Sequence, residues 1–407
     1  MLHKRDIHLK KSIIFLGGIF PPSQSEFINR ESKGVVQSAA DALQKSLIKG
    51  LATHDRNIVV VNLPFVGSYP RLFRMRAFPP VVDTFDGVPL VGEGFPLRKP
   101  IKSIFRTLGA FRGIGRIKAE GRVVIIVYSA HLPFLLAALA RRAFSRNVEI
   151  CLVLPDFPEF MAEGGRLYRL AKYVETKIFN RLVKHIDYFV VLTEAMADRM
   201  RLAPDRYVVV EGIAEELRDL KLKEVEPHKR IFMYAGTLAS RYGIIDLISA
   251  FEKVRLKQAE LWICGEGDST DAVRAAANRD HRIKFFGQVP REEAKRLQSA
   301  ATILVNPRTA EGEFTKYSFP SKTMEYMASG RPVLMYRLPG VPDEYHDHFI
   351  SPPDSTRQSM TLTMENLASW SDDDLIAFGR RAQEFVLENK NAKVQTAKIL
   401  QMIDRGT

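Results

Sequence analysis

Short apolar runs alternating with helical patterns predict two doubly wound α/β domains, each built on a parallel sheet. Three observations carry this. The runs are continuously apolar rather than alternating, as strands covered on both faces require. Each is followed by a Gly, Pro or Ser turn and then a helical pattern. They also fall into two series separated by a charged stretch.

The first series is 12–16, 57–63, 123–128, 149–154, 188–192 and 207–210; the second is 231–235, 260–264, 283–286, 302–305, 332–335 and 348–351. Between them, "GIAEELRDLKLKEVEPHKR" (212–230) is charged, contains Pro227 and lacks a strand-like run, which marks a linker. From Ser371 onward Leu375, Phe378, Ala382, Phe385 and Val386 share one helical face. The expected division is an N-terminal domain over 1–215, completed by a C-terminal helix at about 380–407, and a second domain over 225–375. A length of 407 residues calls for two cores, and 46% apolar residues supply them.

The start, "MLHKRDIHLKKSIIFLGGIFPPS", resembles a signal peptide in its basic opening. Its apolar run is short, contains Gly17 and Gly18, lacks a small-residue cleavage site and ends in Pro-Pro, so a first buried strand is the better reading. No run reaches the ~18–20 apolar residues of a spanning helix. Cys151 and Cys264 both sit in apolar runs, which suits a reducing, cytoplasmic setting. The net charge of +13 calls for an anionic partner: nucleic acid, a membrane surface or a substrate. The absence of an RNP-like block, zinc-finger spacing or basic repeat argues against nucleic acid.

Two such domains facing a central cleft would present the carboxyl ends of both sheets to it, where ligands bind. The turns after strands therefore hold the candidates. "GTLASRYGI" offers Gly236, Thr237 and Arg241 near a helix start, an arrangement suited to phosphate or simply an ordinary loop. "GEGDS" offers Gly265 and Gly267, but a lone Gly-x-Gly mostly marks a tight turn and gives no nicotinamide fingerprint. In "FPSKTMEYMASGRPVL", Ser321 is expected as N-cap with Met324 at N3. Lys322 then opposes the helix dipole unless an anion faces it, and Glu325 can accept both hydroxyls of a ribose. In the first half, Gly17 and Gly18 form a turn suited to close ligand approach. His131 and Asp156 stand at strand ends, although each could be a plain capping residue.

Several motifs in order, "YAGTLASRYGIIDLISAF", "LWICGEG", "IKFFGQVPREE", "AATILVNPR" and "FPSKTMEYMASGRPVL", resemble the donor domain of family-4 glycosyltransferases with the GT-B fold. The "FPSK" variant is similar to a branch common among bacterial surface-polysaccharide transferases. The resemblance implies two Rossmann-like domains and sugar transfer with retention from a UDP- or GDP-sugar. The acceptor would be a saccharide or polyprenyl-linked saccharide, in exopolysaccharide, capsule or lipopolysaccharide biosynthesis. It puts Glu325 in the ribose-binding place, with Arg241 and Lys322 on the diphosphate. His131 and Asp156 join them as catalytic candidates. Gly17, Gly18, Gly236, Thr237, Gly265, Gly267, Val289 and Ser321 join Glu325 as binding candidates. No Asp-x-Asp triad stands in a fitting place, so neither metal nor cofactor is expected.

Three positions depart from the pattern. Tyr317 stands where the family usually has a second Glu, Thr237 where it has Arg, and Tyr242 where it has Lys. Tyr317 keeps a non-catalytic nucleotide-sugar-binding protein as one alternative; a nucleotide-sugar epimerase or a phosphorylase of the same GT-B fold is the other. Finally, "YPRLFRMRAF" (69–78) and "RKPIKSIFRTLGAFRGIGRIK" (98–118) interleave basic and apolar residues with no acid. An amphipathic surface of this kind predicts peripheral attachment to an anionic membrane, on its cytoplasmic face, with a soluble helix and a mobile basic loop as the bland alternative.

Overall fold

A computed structural model describes residues 7–34, 36–54, 56–145, 147–161, 166–216 and 229–406. The chain forms two compact units, Met1–Ile213 with Ala392–Thr407, and Ala214–Asn391. Most of the stretch read as a linker, 217–228, lies outside the described residues.

The first unit opens with β1 (Ile7–Gly17), α1 (Ser25–Glu31), α2 (Ser38–Ala52) and β2 (Asn57–Asn62). The short strands β3 (Ala77–Phe78), β4 (Val81–Phe85), β5 (Val88–Gly92) and β6 (Phe95–Pro96) follow. Next come α3 (Ile101–Gly115), β7 (Ile117–Tyr128), α4 (Leu132–Ala143) and β8 (Val148–Leu154). The run ends with α5 (Arg166–Leu182), β9 (Tyr188–Val191), α6 (Glu194–Met200) and β10 (Tyr207–Val209). Eight strands pair in the order β10-β9-β8-β7-β1-β2-β5-β4, parallel except for β4 against β5. Strand pleating sends Ile13, Phe15, Val60 and Ile126 to one face, where Leu47 and Leu51 of α2 cover them. The opposite face takes α3, where Gly113 lets the helix backbone settle onto Val61.

The second unit contains β11 (Arg230–Ala235), α7 (Ile244–Phe251), β12 (Ala259–Cys264), α8 (Thr270–Arg279) and β13 (Ile283–Gly287). It continues with α9 (Arg291–Ala300), β14 (Ile303–Asn306), α10 (Ser321–Ala328), β15 (Val333–Met335), α11 (Arg357–Ala368) and α12 (Asp372–Asn389). Its sheet runs β13-β12-β11-β14-β15, all parallel. Every residue of β11 is buried, which is why 231–235 reads as an unbroken apolar run. The strand order reverses between β11 and β14, and in the first sheet between β1 and β7; ligands bind beyond strand ends at such points.

Two expectations are corrected. Residues 348–351 form no strand: Asp343–His348 is a 3-10 turn and Ile350 makes a single bridge to Leu334. Pro352 and Pro353, which follow, have no amide hydrogen to extend a ladder. The C-terminal helical stretch is two helices, since Lys390 and Asn391 separate α12 from α13 (Ala392–Arg405), and α13 belongs to the first unit beside α2. Both cysteines are buried free thiols. Among the described residues no helix is long and apolar enough to cross a membrane.

Candidate functional site

In the second unit the turns after β11 and β12 are joined by backbone. The Gly236 amide donates to the Cys264 carbonyl (3.0 Å), the Leu238 amide to Glu266 (3.0 Å) and the Ser269 amide to Leu238 (2.9 Å). Gly265 has φ +135°, and a Cβ there would run into the Gly236 carbonyl oxygen. Gly236, Gly265 and Gly267 are thus brought together, and close approach of two loops gives the Gly-x-Gly a structural reason of its own. Thr237 is exposed, while its carbonyl accepts the Tyr234 hydroxyl at 2.8 Å. Val289 lies half-buried in the loop between β13 and α9.

Arg241 is exposed, with its guanidinium 5.1 Å from the centre of the Tyr242 ring. On the same ring, at 5.7 Å, lies Arg308, which follows β14. Arg308 also donates to Ser318 Oγ at 2.6 Å and sits 4.6 Å from the Phe314 ring. Sequence reading passed over Arg308, although its place directly after a strand at the reversal of strand order was a usable signal. Tyr317 donates its hydroxyl to Glu313 at 3.2 Å.

The entry to α10 differs from expectation. Pro320 holds the cap position without a side-chain hydrogen bond, so Ser321 is the first helical residue rather than the N-cap. Proline's fixed φ suits a helix entry, and Ser321 needs no capping role. Lys322 also has its anion within the protein. Its Nζ donates to Glu325 Oε1 at 3.0 Å and Oε2 at 2.9 Å, one turn along the helix. Gln298 Nε2 donates to the same carboxylate at 2.8 Å. Burial acts to raise the Glu325 pKa, but the Lys322 charge and the two hydrogen-bond donors outweigh it and hold the carboxyl below its ordinary range. The pair remains open to water, with 34% and 29% of the two side chains exposed. Behind it the buried Tyr326 hydroxyl accepts from the Ala235 amide (2.9 Å) and donates to the Ala235 carbonyl (3.1 Å), clamping α10 to the end of β11.

The first unit's strand ends are filled by its own side chains. Gly17 and Gly18 are buried at the end of β1. The Gly18 amide donates to Gln44 Oε1 and the Ile19 amide to Asn62 Oδ1, both at 2.8 Å. Beside them Phe65 meets the His131 ring edge-on at 5.5 Å, and Phe134 meets it at 4.7 Å. His131 Nε2 has no hydrogen-bond partner among the described residues. Burial first, and then the charges of Arg106, Lys102 and Lys172, hold this imidazole neutral. Arg106 is buried, donates to the Leu63 carbonyl at 2.6 Å and lies 5.0 Å from both the Phe65 and Phe134 rings. Lys102 donates to the Val66 carbonyl at 2.6 Å, and burial, helped by Arg106 and Lys99, lowers its pKa to about 7. Asp156 is exposed in the turn after β8.

Fold and strand-end chemistry define the class: two Rossmann-like α/β units of the GT-B kind. The structure is similar to that of Anabaena HepE in complex with UDP and glucose, with a TM-score of 0.61 at 13% identity, covering 97% of this chain and 100% of that one. Residues 229–369 match the family Glycosyl transferases group 1. Probable glycosyltransferase WbjE of Pseudomonas aeruginosa is 27% identical over 201 residues, 46% of this chain and 50% of that protein. Amylovoran biosynthesis glycosyltransferase AmsK of Erwinia amylovora is 24% identical over 202 residues, 48% of this chain and 49% of that protein. The match thus spans about half the length of these curated relatives.

Proposed function

We propose that the protein is a retaining glycosyltransferase. It moves a sugar from a UDP- or GDP-sugar to a saccharide or polyprenyl-linked acceptor in surface-polysaccharide biosynthesis. The observation that carries this reading is the open Lys322–Glu325 pair at the first turn of α10, backed by Gln298 and clamped by Tyr326. The group 1 match over 229–369 and the descriptions of WbjE and AmsK support it.

In this reading Glu325 accepts the ribose hydroxyls and Lys322 turns toward the diphosphate, each exchanging one partner for another. As the sugar–phosphate bond breaks, negative charge gathers on the departing diphosphate. Lys322, Arg241 and the amides of the 236–243 turn stabilise it there without a metal ion. Titration of UDP and GDP into the protein tests the site. Glu325→Ala and Lys322→Ala should each weaken binding by about 1.5–3 kcal/mol, the cost of a charge-assisted hydrogen bond. Unchanged dissociation constants would remove both residues from the site. Slow hydrolysis of the donor with EDTA present separates an enzyme from a protein that merely binds. The latter is the second reading, which Tyr317 at the position of the family's usual carboxylate favours.

A further inference from the structure

The two helical layers of the first unit treat water differently. Among the described residues, α2 and α13 on one side expose no large apolar side chain. On the other side α3 packs along α4, and α4 touches α5. Among the described residues, those three helices and Phe144, which caps α4, hold ten of the sixteen exposed large apolar side chains.

Their placement is regular. On α3, Ile101, Ile104, Phe105 and Leu108 are 44%, 58%, 44% and 42% exposed, at the i, i+3, i+4, i+7 spacing of a face that normally points inward. The inward face of α3 carries Arg106 and Ile114 together with Gly109, Ala110 and Gly113, small residues that bring the helix close to the sheet. Most of the large apolar side chains of this helix face water. On α5, Leu170, Tyr173, Val174 and Ile178 repeat the pattern, all exposed. Phe144, at the end of α4, is 80% exposed and touches Phe111 of α3, which ties the surfaces together.

Charge identifies the occupant. The three helices contain ten Lys and Arg, of which Arg106 and Lys102 turn inward; against the other eight stands one acid, Glu175, which is already paired with Lys172. Arg169, Lys177 and Arg181 are exposed among the apolar residues of α5, and Arg98 and Lys99 stand exposed at the entry to α3. Long basic side chains beside an apolar stripe can lay their stems on hydrocarbon and keep their heads among phosphates. A protein partner would need a matching acidic and apolar surface, whereas an anionic bilayer provides both layers at once. We infer that the α3–α4–α5 layer is a docking face for a bilayer containing anionic lipid, with α3 and α5 lying in its interface. This goes beyond the proposed sugar transfer and does not depend on catalysis.

Flotation of the full chain tests it, with vesicles of phosphatidylcholine alone or mixed equally with phosphatidylglycerol, at low and high salt. The protein should float with mixed vesicles at low salt, release as salt screens the charge, and stay behind with phosphatidylcholine alone. A quadruple variant, Phe105→Ser, Leu108→Ser, Leu170→Ser and Val174→Ser, should float at least about tenfold less, since area buried in the interface sets binding strength. Because all four side chains are exposed, its unfolding midpoint should stay near that of the parent. Parent protein left unfloated by mixed vesicles at low salt would overturn the inference. So would a variant that floats as well as the parent. Sedimentation velocity supplies the remaining check: a parent dimer that the substitutions convert to monomer would assign the face to a second copy. None of these readings uses a donor sugar, so failure here and failure of the transferase reading are distinguishable.

Discussion

The turns beyond the two sheets solve the same problem in opposite ways. In the first unit, side chains fill the space beyond β1 and β7: Phe65, Phe134 and Arg106 enclose His131, while Gln44 and Asn62 take up the glycine-turn amides. In the second unit, backbone meets backbone between the turns after β11 and β12, and the charged groups Lys322, Glu325 and Arg241 are left at the surface. Plugging a strand end with side chains gives stability and leaves little vacant polar chemistry. Zipping it with glycine backbone leaves ions within reach of a diphosphate.

The strongest way to break this contrast is Gly265→Ala. The new Cβ meets the Gly236 carbonyl, and the φ of +135° disfavours any side chain. Strain and overpacking together should cost about 2–5 kcal/mol, read as a lower urea midpoint for the second unit. Gly87, also at positive φ but with open space around it, gives the matched control as Gly87→Ala. Equal losses at both sites would mean that strain alone, and not the zipper, is being measured.

Next in size is Arg106→Ala, which empties the plug and should cost about 2–4 kcal/mol, as large-to-small core changes do. Arg106→Met keeps the volume and discards the charge, and should cost less than about 1.5 kcal/mol. If both variants lose the same stability, it is the cation and not the packing that closes this strand end.

A third test uses pH. Folded Lys102 has a pKa of about 7, below its ordinary value of 10.5. Between those values the unfolded chain holds a proton that the folded one has released, so the first unit should gain stability as pH rises from 7 toward 10. Lys102→Met should flatten that rise in thermal melts followed across the range, while the second unit is unaffected. A rise that persists in the variant would assign the proton elsewhere.

The smallest effect is expected where ligand chemistry is proposed. Without nucleotide, Lys322→Ala should cost at most about 1 kcal/mol, because the pair is partly exposed and screened. Glu325 titrates below the ordinary carboxyl range, so its contribution is present above the unfolded pKa and is lost as pH falls through the folded one. Carboxyl NMR should show Glu325 moving upward in the variant. A large stability loss instead would recast the pair as structural.

What could be read from sequence follows from the same physics. Strands such as β11 are buried on both faces and announce themselves as apolar runs. The hairpin of β4 and β5 escaped because Asp83, Thr84 and Pro89 interrupt its pattern. Its Asp86-Gly87 turn, with φ of +51° and +79°, was nevertheless a legible hairpin signal. Lys322 and Glu325 were accessible because helical spacing places them on one face. Gln298 was not, because its contact with Glu325 crosses 27 positions of chain; Arg308 could be placed after a strand, but not its contact with Tyr242 across 66 positions.

The position of α13 has a consequence for how the protein is made. Ile399, Leu400, Met402 and Ile403 complete the core of the first unit, yet they follow the whole of the second unit in the chain. A ribosome releases residues 214–391 before it reaches them. During synthesis the second unit can therefore finish folding first, while the apolar faces of α2 and the first sheet wait for their last helix. In that interval the N-terminal half is a client for any chaperone that holds exposed apolar surface, although it was the first to emerge.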